Sequence, residues 1–153
     1  MSGSLVVAML LAATAFATEV SRDEYKEAAE PICKVNTQAN ERILAGVRKE
    51  VQKGNLKPAA AKFMKASRAL KKALRELEAL PRPKADEARL ARWFSLVGLE
   101  ARLFASAGKE LKAGDKAGAE HIVTKLTQNA NKANNQVLPF GFRYCRLEPA
   151  KFT

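Results

Sequence analysis

Apolar residues recur at steps of three or four along four long segments of this chain, and that spacing predicts four amphipathic α-helices. The first segment opens at Ser21-Arg22-Asp23-Glu24, a capping-box pattern in which the serine hydroxyl and the glutamate carboxylate satisfy free backbone amides. Pro31 should kink this helix or begin its main part, and Gly54 should end it. The inward positions of this helix are Tyr25, Ala29, Ile32, Asn36, Ala39, Ile43 and Val47.

The second predicted helix is clearly two-sided. It begins with Pro58 in its first turn, where proline is well tolerated, and it ends before Pro81. Its inward side carries Phe63, Ser67, Leu70, Leu74 and Leu77. At about 100° per residue the opposite side is basic, and its members are Lys62, Lys65, Arg68, Lys72 and Arg75.

The third and fourth segments complete the set of predicted helices. The third runs from about Ala85 to Ala113 and faces inward with Leu90, Trp93, Phe94, Val97, Ala101, Phe104 and Leu111. The fourth begins after Asp115, a good N-cap residue, and ends at Pro139. Its inward positions are Ala119, Ile122, Val123, Leu126, Ala130, Ala133 and Val137. A tail follows from about position 139.

These helices predict an all-α fold with a single domain. No alternating strand pattern longer than a few residues occurs after position 17, and the connections between the helical segments are short. Short connections place neighbouring helices antiparallel, so we expect an up-down-up-down four-helix bundle.

Residues 1–17 predict a signal peptide. They carry no charged side chain, and an apolar run from Leu5 to Ala13 precedes Ala15-Phe16-Ala17, the small-x-small pattern that signal peptidases accept. The polar residues from Thr18 onward come too early for a membrane anchor of about 20 apolar residues. The alternative is a buried N-terminal helix. Cleavage before Thr18 leaves residues 18–153 as a secreted or extracytoplasmic protein of the cell envelope.

Two cysteines, Cys33 and Cys145, lie near opposite ends of this exported chain. In the predicted topology the start of the first helix lies beside the end of the fourth, which brings the two thiols to the same end of the bundle. An exported protein favours their oxidation. The sequence therefore predicts one disulfide that closes the bundle, the alternative being two unrelated buried thiols.

The segments around the cysteines also carry a resemblance. Ile32-Cys33-Lys34-Val35-Asn36 and Phe140-Gly141-Phe142-Arg143-Tyr144-Cys145 resemble the Ile-Cys-x-x-Asn and aromatic-Gly-aromatic-x-x-Cys motifs of a group of small secreted proteins and lipoproteins from actinobacteria. That group is largely uncharacterised, so the resemblance implies a helical exported domain and a disulfide, with no specific activity. This chain lacks the lipobox cysteine of many members, and it has Arg146 where many have glycine.

Charge supplies the best functional indication. The chain has 27 Lys and Arg against 16 Asp and Glu, a net charge of +11. Much of the excess lies between positions 53 and 84, where Glu76 and Glu78 are the acids and the bases are Lys53, Lys57, Lys62, Lys65, Arg68, Lys71, Lys72, Arg75, Arg82 and Lys84. We expect either a solvated surface or contact with an anionic lipid or wall polymer. Nucleic acid is disfavoured because Phe63, the aromatic residue among these bases, points inward.

Polar residues near the disulfide form a second candidate site. Asn36, Asn40, Asn129 and Asn134 lie on or beside inward positions. Buried amides must be hydrogen-bonded, so they should bond one another or the backbone of the tail. The alternative is a polar pocket near Asn36 and Asn134 for a small ligand, which would make the protein a carrier or sensor.

An apolar stripe on the third helix needs a cover. Leu96, Leu99 and Leu103 lie outside its main inward side. The tail, with Leu138, Phe140, Phe142, Leu147 and Phe152, is the expected cover, and a partner or a second copy is the alternative.

Catalytic chemistry is not indicated by this composition. One His and two cysteines that we expect to be oxidised cannot assemble a zinc or haem site. His121 should be exposed, and about 25 Å of helix should separate it from the Cys145 end. We therefore expect neither metal nor cofactor, and a binding or structural protein of the cell envelope rather than an enzyme.

Overall fold

The computed structural model describes residues 19–151, so the predicted signal peptide and Phe152 lie outside the described residues. The described residues are helical, with short 3₁₀ turns and no strand between positions 19 and 151. The helices are α1 (Arg22–Leu44), α2 (Val47–Gln52), α3 (Leu56–Glu78), α4 (Glu87–Ala113) and α5 (Lys116–Gln136). The predicted all-α class is confirmed.

The first predicted helix is two helices. α1 ends at Leu44, and α2 begins at Val47 after a turn in which Gly46 has φ 73°, a left-handed conformation that favours glycine. The predicted single helix as far as Gly54 was therefore wrong. Pro31 lies inside α1, which continues on both sides of it.

The predicted ends of the helices agree well with the structure. Ser21 and Glu24 form the capping box at the start of α1, with the Ser21 amide donating to the Glu24 carboxylate over 2.7 Å. Pro58 lies in the first turn of α3. The Asp115 carboxylate accepts a 2.8 Å hydrogen bond from the Gly118 amide at the start of α5, which satisfies one of the free amides there.

Contacts between the ends of the helices establish an antiparallel bundle. The start of α1 meets the start of α4, because Arg22 donates two hydrogen bonds of 2.8 and 2.9 Å to Asp86. Lys62 near the start of α3 donates to the Ala45 carbonyl just past the end of α1. Arg89 near the start of α4 donates to the Gln136 carbonyl at the end of α5. α1 packs on α3, α3 on α4 and α4 on α5.

The C-terminal tail packs into the bundle where α1 and α4 begin. Phe140 and Phe142 are buried, and their ring centroids lie 5.2 Å apart. Phe140 packs edge-on against Tyr25 at 5.8 Å, and Phe142 stacks on Trp93 at 5.7 Å. These rings extend the hydrophobic core past the end of α5, so the tail is part of the fold.

Between residues 19 and 151, none of the helices has the length and the apolar character that a membrane span requires.

Candidate anion-binding surface and buried polar layer

Cys33 and Cys145 form the predicted disulfide, with Cα atoms 4.9 Å apart and a sequence separation of 112. The tail around this bond is held by α1 and α5. Both carboxylate oxygens of Glu30 accept from the tail, one from the Arg143 amide and the other from the Tyr144 amide at 2.9 Å. Thr37 donates to the Tyr144 carbonyl. We call this region, made by Cys33, Cys145, Glu30, Thr37, Asn134 and residues 143–147, the disulfide end.

The four predicted asparagines have partners within the chain but do not form one cluster. Asn134 binds the tail through both of its amide atoms, donating to the Leu147 carbonyl at 2.9 Å and accepting from the Leu147 amide at 2.8 Å. Asn40 donates weakly to Asn36 at 3.4 Å. Asn129 turns towards α4 and donates to the Leu96 carbonyl and to Glu100. An open groove of about 390 Å³ lies between Asn134 and the tail.

Glu100 is a buried carboxylate that the sequence reasoning missed. It is 1% exposed, and its Oε2 accepts a 2.6 Å hydrogen bond from Asn129. Its Oε1 has no partner among the described residues. Burial raises the pKa of Glu100 from 4.5 to about 7, while the bond from Asn129 acts in the opposite direction. The signal was present, because Glu100 follows Val97 by three and precedes Phe104 by four positions and so shares their inward side.

Glu100 belongs to a layer in which each long helix contributes one buried polar residue. The Ser67 hydroxyl donates to the Ala101 carbonyl at 2.6 Å, next to Glu100 in the chain. The Lys62–Ala45 contact places Asn40 within about one turn of the level of Ser67. Asn40 lies five residues before Ala45 on α1, and Ser67 lies five residues after Lys62 on the antiparallel α3. We call Asn40, Ser67, Glu100 and Asn129 the buried polar layer. The Oδ1 atoms of Asn40 and Asn129 also have no partner within residues 19–151.

The predicted basic side of α3 divides into three parts. Lys62 is half-buried and turned towards α2, where it pairs with Glu50 at 2.6 Å. Lys65 and Lys72 are exposed, and Lys72 lies 3.7 Å from Glu76. Arg68 and Arg75 are exposed and have no acidic partner among the described residues. The same is true of Lys71, which was not among the predicted basic residues of this side.

Lys71 lies at the edge of the side of α3 that faces α4, and Arg75 continues this edge towards the basic side. Ser67 and Leu74 contact α4, through the Ala101 carbonyl and beside Gly98 respectively. Lys71 follows Ser67 by four and precedes Leu74 by three residues, which places it on that side of the helix, and Arg75 lies one turn further on. This flank of α3 therefore borders the groove between α3 and α4.

The groove between α3 and α4 is open and carries charge. It encloses about 600 Å³ and is lined by Leu74, Glu78, Arg82, Ala91, Phe94, Ser95, Gly98 and Arg102. At Gly98 the backbone forms the floor, and the Arg102 Nη1 atom lies 3.6 Å from the point that a Cβ would occupy. Arg82 stacks over the Phe94 ring at 5.3 Å. We call this the α3–α4 groove.

The predicted leucine stripe lies beside α5. Leu96 and Leu103 are half-buried against the core, and Leu99 is 37% exposed. Asn129 of α5 reaches the Leu96 carbonyl. The tail rings Phe140 and Phe142 contact Tyr25 and Trp93 instead.

The part of the chain that the structure describes contains no group of three or more His, Cys, Asp or Glu side chains placed to hold a metal ion. His121 is exposed, as predicted.

Comparison with protein-family models, with curated proteins and with solved structures finds no match to this chain.

Proposed function

We propose that this chain is an exported, non-catalytic binding protein of the cell envelope that contacts an anionic lipid or wall polymer through the basic side of α3. The observation that carries the proposal is the exposure of Lys65, Arg68, Lys71, Lys72 and Arg75 on one helix, with Glu76 beside Lys72 as the acid that contacts them within the described residues. Unpaired basic side chains on one surface attract polyanions at low ionic strength.

Export is part of the proposal and has three supports. The Cys33–Cys145 disulfide is typical of proteins outside the reducing cytoplasm. The apolar segment at positions 5–13 and the small-x-small pattern at positions 15–17 favour a signal peptide, and the cysteine motifs resemble those of secreted proteins. Lys62 contributes less to the proposed surface than the sequence suggested, because Glu50 neutralises it.

The alternative, a small-ligand carrier with a pocket near Asn36 and Asn134, has less support. Both amide atoms of Asn134 are already bonded to Leu147, and the Asn36 carbonyl accepts from Asn40. A ligand that bonded the Asn134 amide would have to displace bonds that hold the tail.

Binding to anionic surfaces at two salt concentrations tests the proposal. The oxidised protein is incubated with phosphatidylglycerol vesicles, with phosphatidylcholine vesicles and with an anionic wall polymer. We expect binding to at least one of the anionic materials at low salt and a steep loss of affinity on raising salt. Binding to the neutral vesicles should be absent. Indifference to every anionic material at low salt would overturn the proposal.

A charge-matched pair of variants assigns the binding to α3. The Arg68→Gln/Lys72→Gln/Arg75→Gln variant should lose most of the affinity. The control carries Lys116→Gln/Lys125→Gln/Lys132→Gln on α5, where the three lysines are also exposed, and it has the same net charge. Equal losses in the two variants would show that net charge acts without a specific surface.

A further inference from the structure

The basic side of α3 continues onto α4 across the α3–α4 groove. Leu74 packs beside Gly98, so in this antiparallel pair the level of Lys71 on α3 falls at residues 98–102 of α4. Arg102 is exposed and is one turn beyond Gly98. Lys71 and Arg102 therefore border the same stretch of the groove, and Arg75 lies about one turn further towards Phe94.

The conformation of Arg102 directs its charge into the groove. Its Nη1 atom lies 3.6 Å from the ideal Cβ position of Gly98, so the guanidinium lies along the floor. No carboxylate of the described residues lies within ion-pair distance of it. A guanidinium with free N–H donors is suited to bind phosphate oxygens through two hydrogen bonds.

A second arginine lies at the other end of the groove. Arg82 is exposed and stacks on Phe94, which is eight residues from Arg102 along α4, or about 12 Å. Glu78 is the acidic lining residue at this end. The charged lining residues are thus Arg82, Arg102 and Glu78, and Lys71 and Arg75 add positive charge at the edge of the groove on α3. One headgroup phosphate cannot reach from Arg102 to Arg82, whereas successive phosphates of a linear polymer can.

The shape of the site also favours a polymer over a bilayer. A bilayer meets the outermost side chains of a helix, such as Lys65 and Lys72, whereas Arg102 folds back over Gly98 and lines the groove. Nucleic acid is disfavoured because Arg82 covers a face of Phe94, the aromatic ring in the groove lining, and so removes a surface on which a base would stack.

We propose that the α3–α4 groove binds a linear, phosphate-bearing polymer, with Arg102 and Lys71 holding its phosphates at one end, Arg82 at the other end and Arg75 between them. This inference rests on the proposed function and gives the anionic partner a chemical class and a position.

Linear inorganic polyphosphate is the probe, and the full oxidised protein is titrated with it at low salt. The Arg75→Gln/Arg102→Gln variant should bind about tenfold more weakly, since each lost charged contact reduces affinity. The matched control, Lys125→Gln/Lys132→Gln on α5, changes the net charge equally and should change affinity less than twofold. A third variant, Ser95→Phe, fills the groove without changing charge and should also weaken binding. Melting temperatures confirm that each variant is folded.

The outcomes separate this inference from the proposed function. If the wild-type protein binds no anionic material, both are overturned. If it binds vesicles but not polyphosphate, the proposed function stands and the groove proposal is overturned. The same conclusion follows if Lys65→Gln/Lys72→Gln weakens polyphosphate binding while the groove variants do not. Tighter binding of single-stranded nucleic acid than of polyphosphate of equal charge would also overturn the groove proposal, because it would show that the bases contribute to recognition as well as the phosphates.

Discussion

The disulfide end and the buried polar layer use similar polar side chains with opposite results. At the disulfide end, Asn134 and Glu30 bind backbone groups of a tail that has no helical ladder of its own. In the buried polar layer, the helices already pair their backbone, and Glu100 and Asn129 each keep an oxygen without a partner among residues 19–151. Polar side chains therefore stabilise irregular backbone at one site and carry a desolvation cost at the other.

The largest effect should follow from breaking the disulfide end covalently. The Cys33→Ala/Cys145→Ala variant frees a tail that is 112 positions from its partner, and we expect the free energy of unfolding to fall by about 4 kcal/mol. Urea denaturation of the oxidised, reduced and variant proteins measures this. If all three unfold at the same urea concentration, the hydrogen bonds of Glu30 and Asn134 hold the tail without the disulfide.

The next effect should come from the buried polar layer, and it should depend on pH. The pKa of Glu100 is raised to about 7 in the fold, above the 4.5 of an ordinary glutamate. Glu100 therefore contributes most to the free energy of unfolding below pH 4.5, where it is protonated in both the folded and the unfolded protein. This contribution is lost as pH rises from 4.5 to about 7, because the unfolded protein releases the proton first and the folded protein releases it near pH 7. This loss amounts to about 3 kcal/mol.

Glu100→Gln tests this pH dependence, because glutamine keeps the shape of the side chain and an oxygen for Asn129 without the charge. The variant should be more stable than wild type by up to about 3 kcal/mol at pH 8 and about equally stable at pH 4. Urea denaturation across this pH range provides the measurement, with Glu120→Gln on the exposed side of α5 as the control. A wild-type slope that persists in Glu100→Gln would assign the pH dependence to other groups.

The helix positions, the pairing of the cysteines and one contact of the tail could be predicted from the sequence. Helical spacing and cap residues located α3, α4 and α5, and the antiparallel order that follows from short connections brought Cys33 and Cys145 together. The expectation that asparagines bind the tail holds for Asn134. These features depend on local chemistry or on the order of the helices, which the sequence displays directly.

The missed features depend on neighbours distant in sequence. The chain turns at Gly46, and α2 begins after this turn. Glu50 on α2 pairs with Lys62, so a helical projection of α3 alone could not show that Lys62 has an acidic partner. Glu100 occupies an inward position of α4, but the pattern of apolar residues does not show whether a charged residue at such a position is buried. The side chain that donates a hydrogen bond to Glu100 is Asn129, which belongs to another helix, α5.

A smaller effect is expected at the disulfide end from Asn134→Ala. The variant loses both hydrogen bonds to Leu147 and should be less stable by about 2 kcal/mol, at about 1 kcal/mol per bond. Amide exchange at Leu147 should accelerate in the variant before global unfolding. Asn131→Ala, an exposed neighbour in the same groove, is the control and should change neither quantity.

The smallest effect should come from Ser67→Ala in the buried polar layer. Ser67 is 2% exposed, and its hydroxyl donates to the Ala101 carbonyl, a backbone group within helix α4. Removing the hydroxyl deletes one bond but leaves no stranded donor, so we expect a loss of about 1 kcal/mol by urea denaturation. Ser95→Ala, whose exposed hydroxyl bonds Ala91 within its own helix, should cost less. If Ser67→Ala proved as costly as Asn134→Ala, polar groups of the layer would stabilise the bundle as strongly as those that anchor the tail, and the contrast between the two regions would reduce to Glu100 alone.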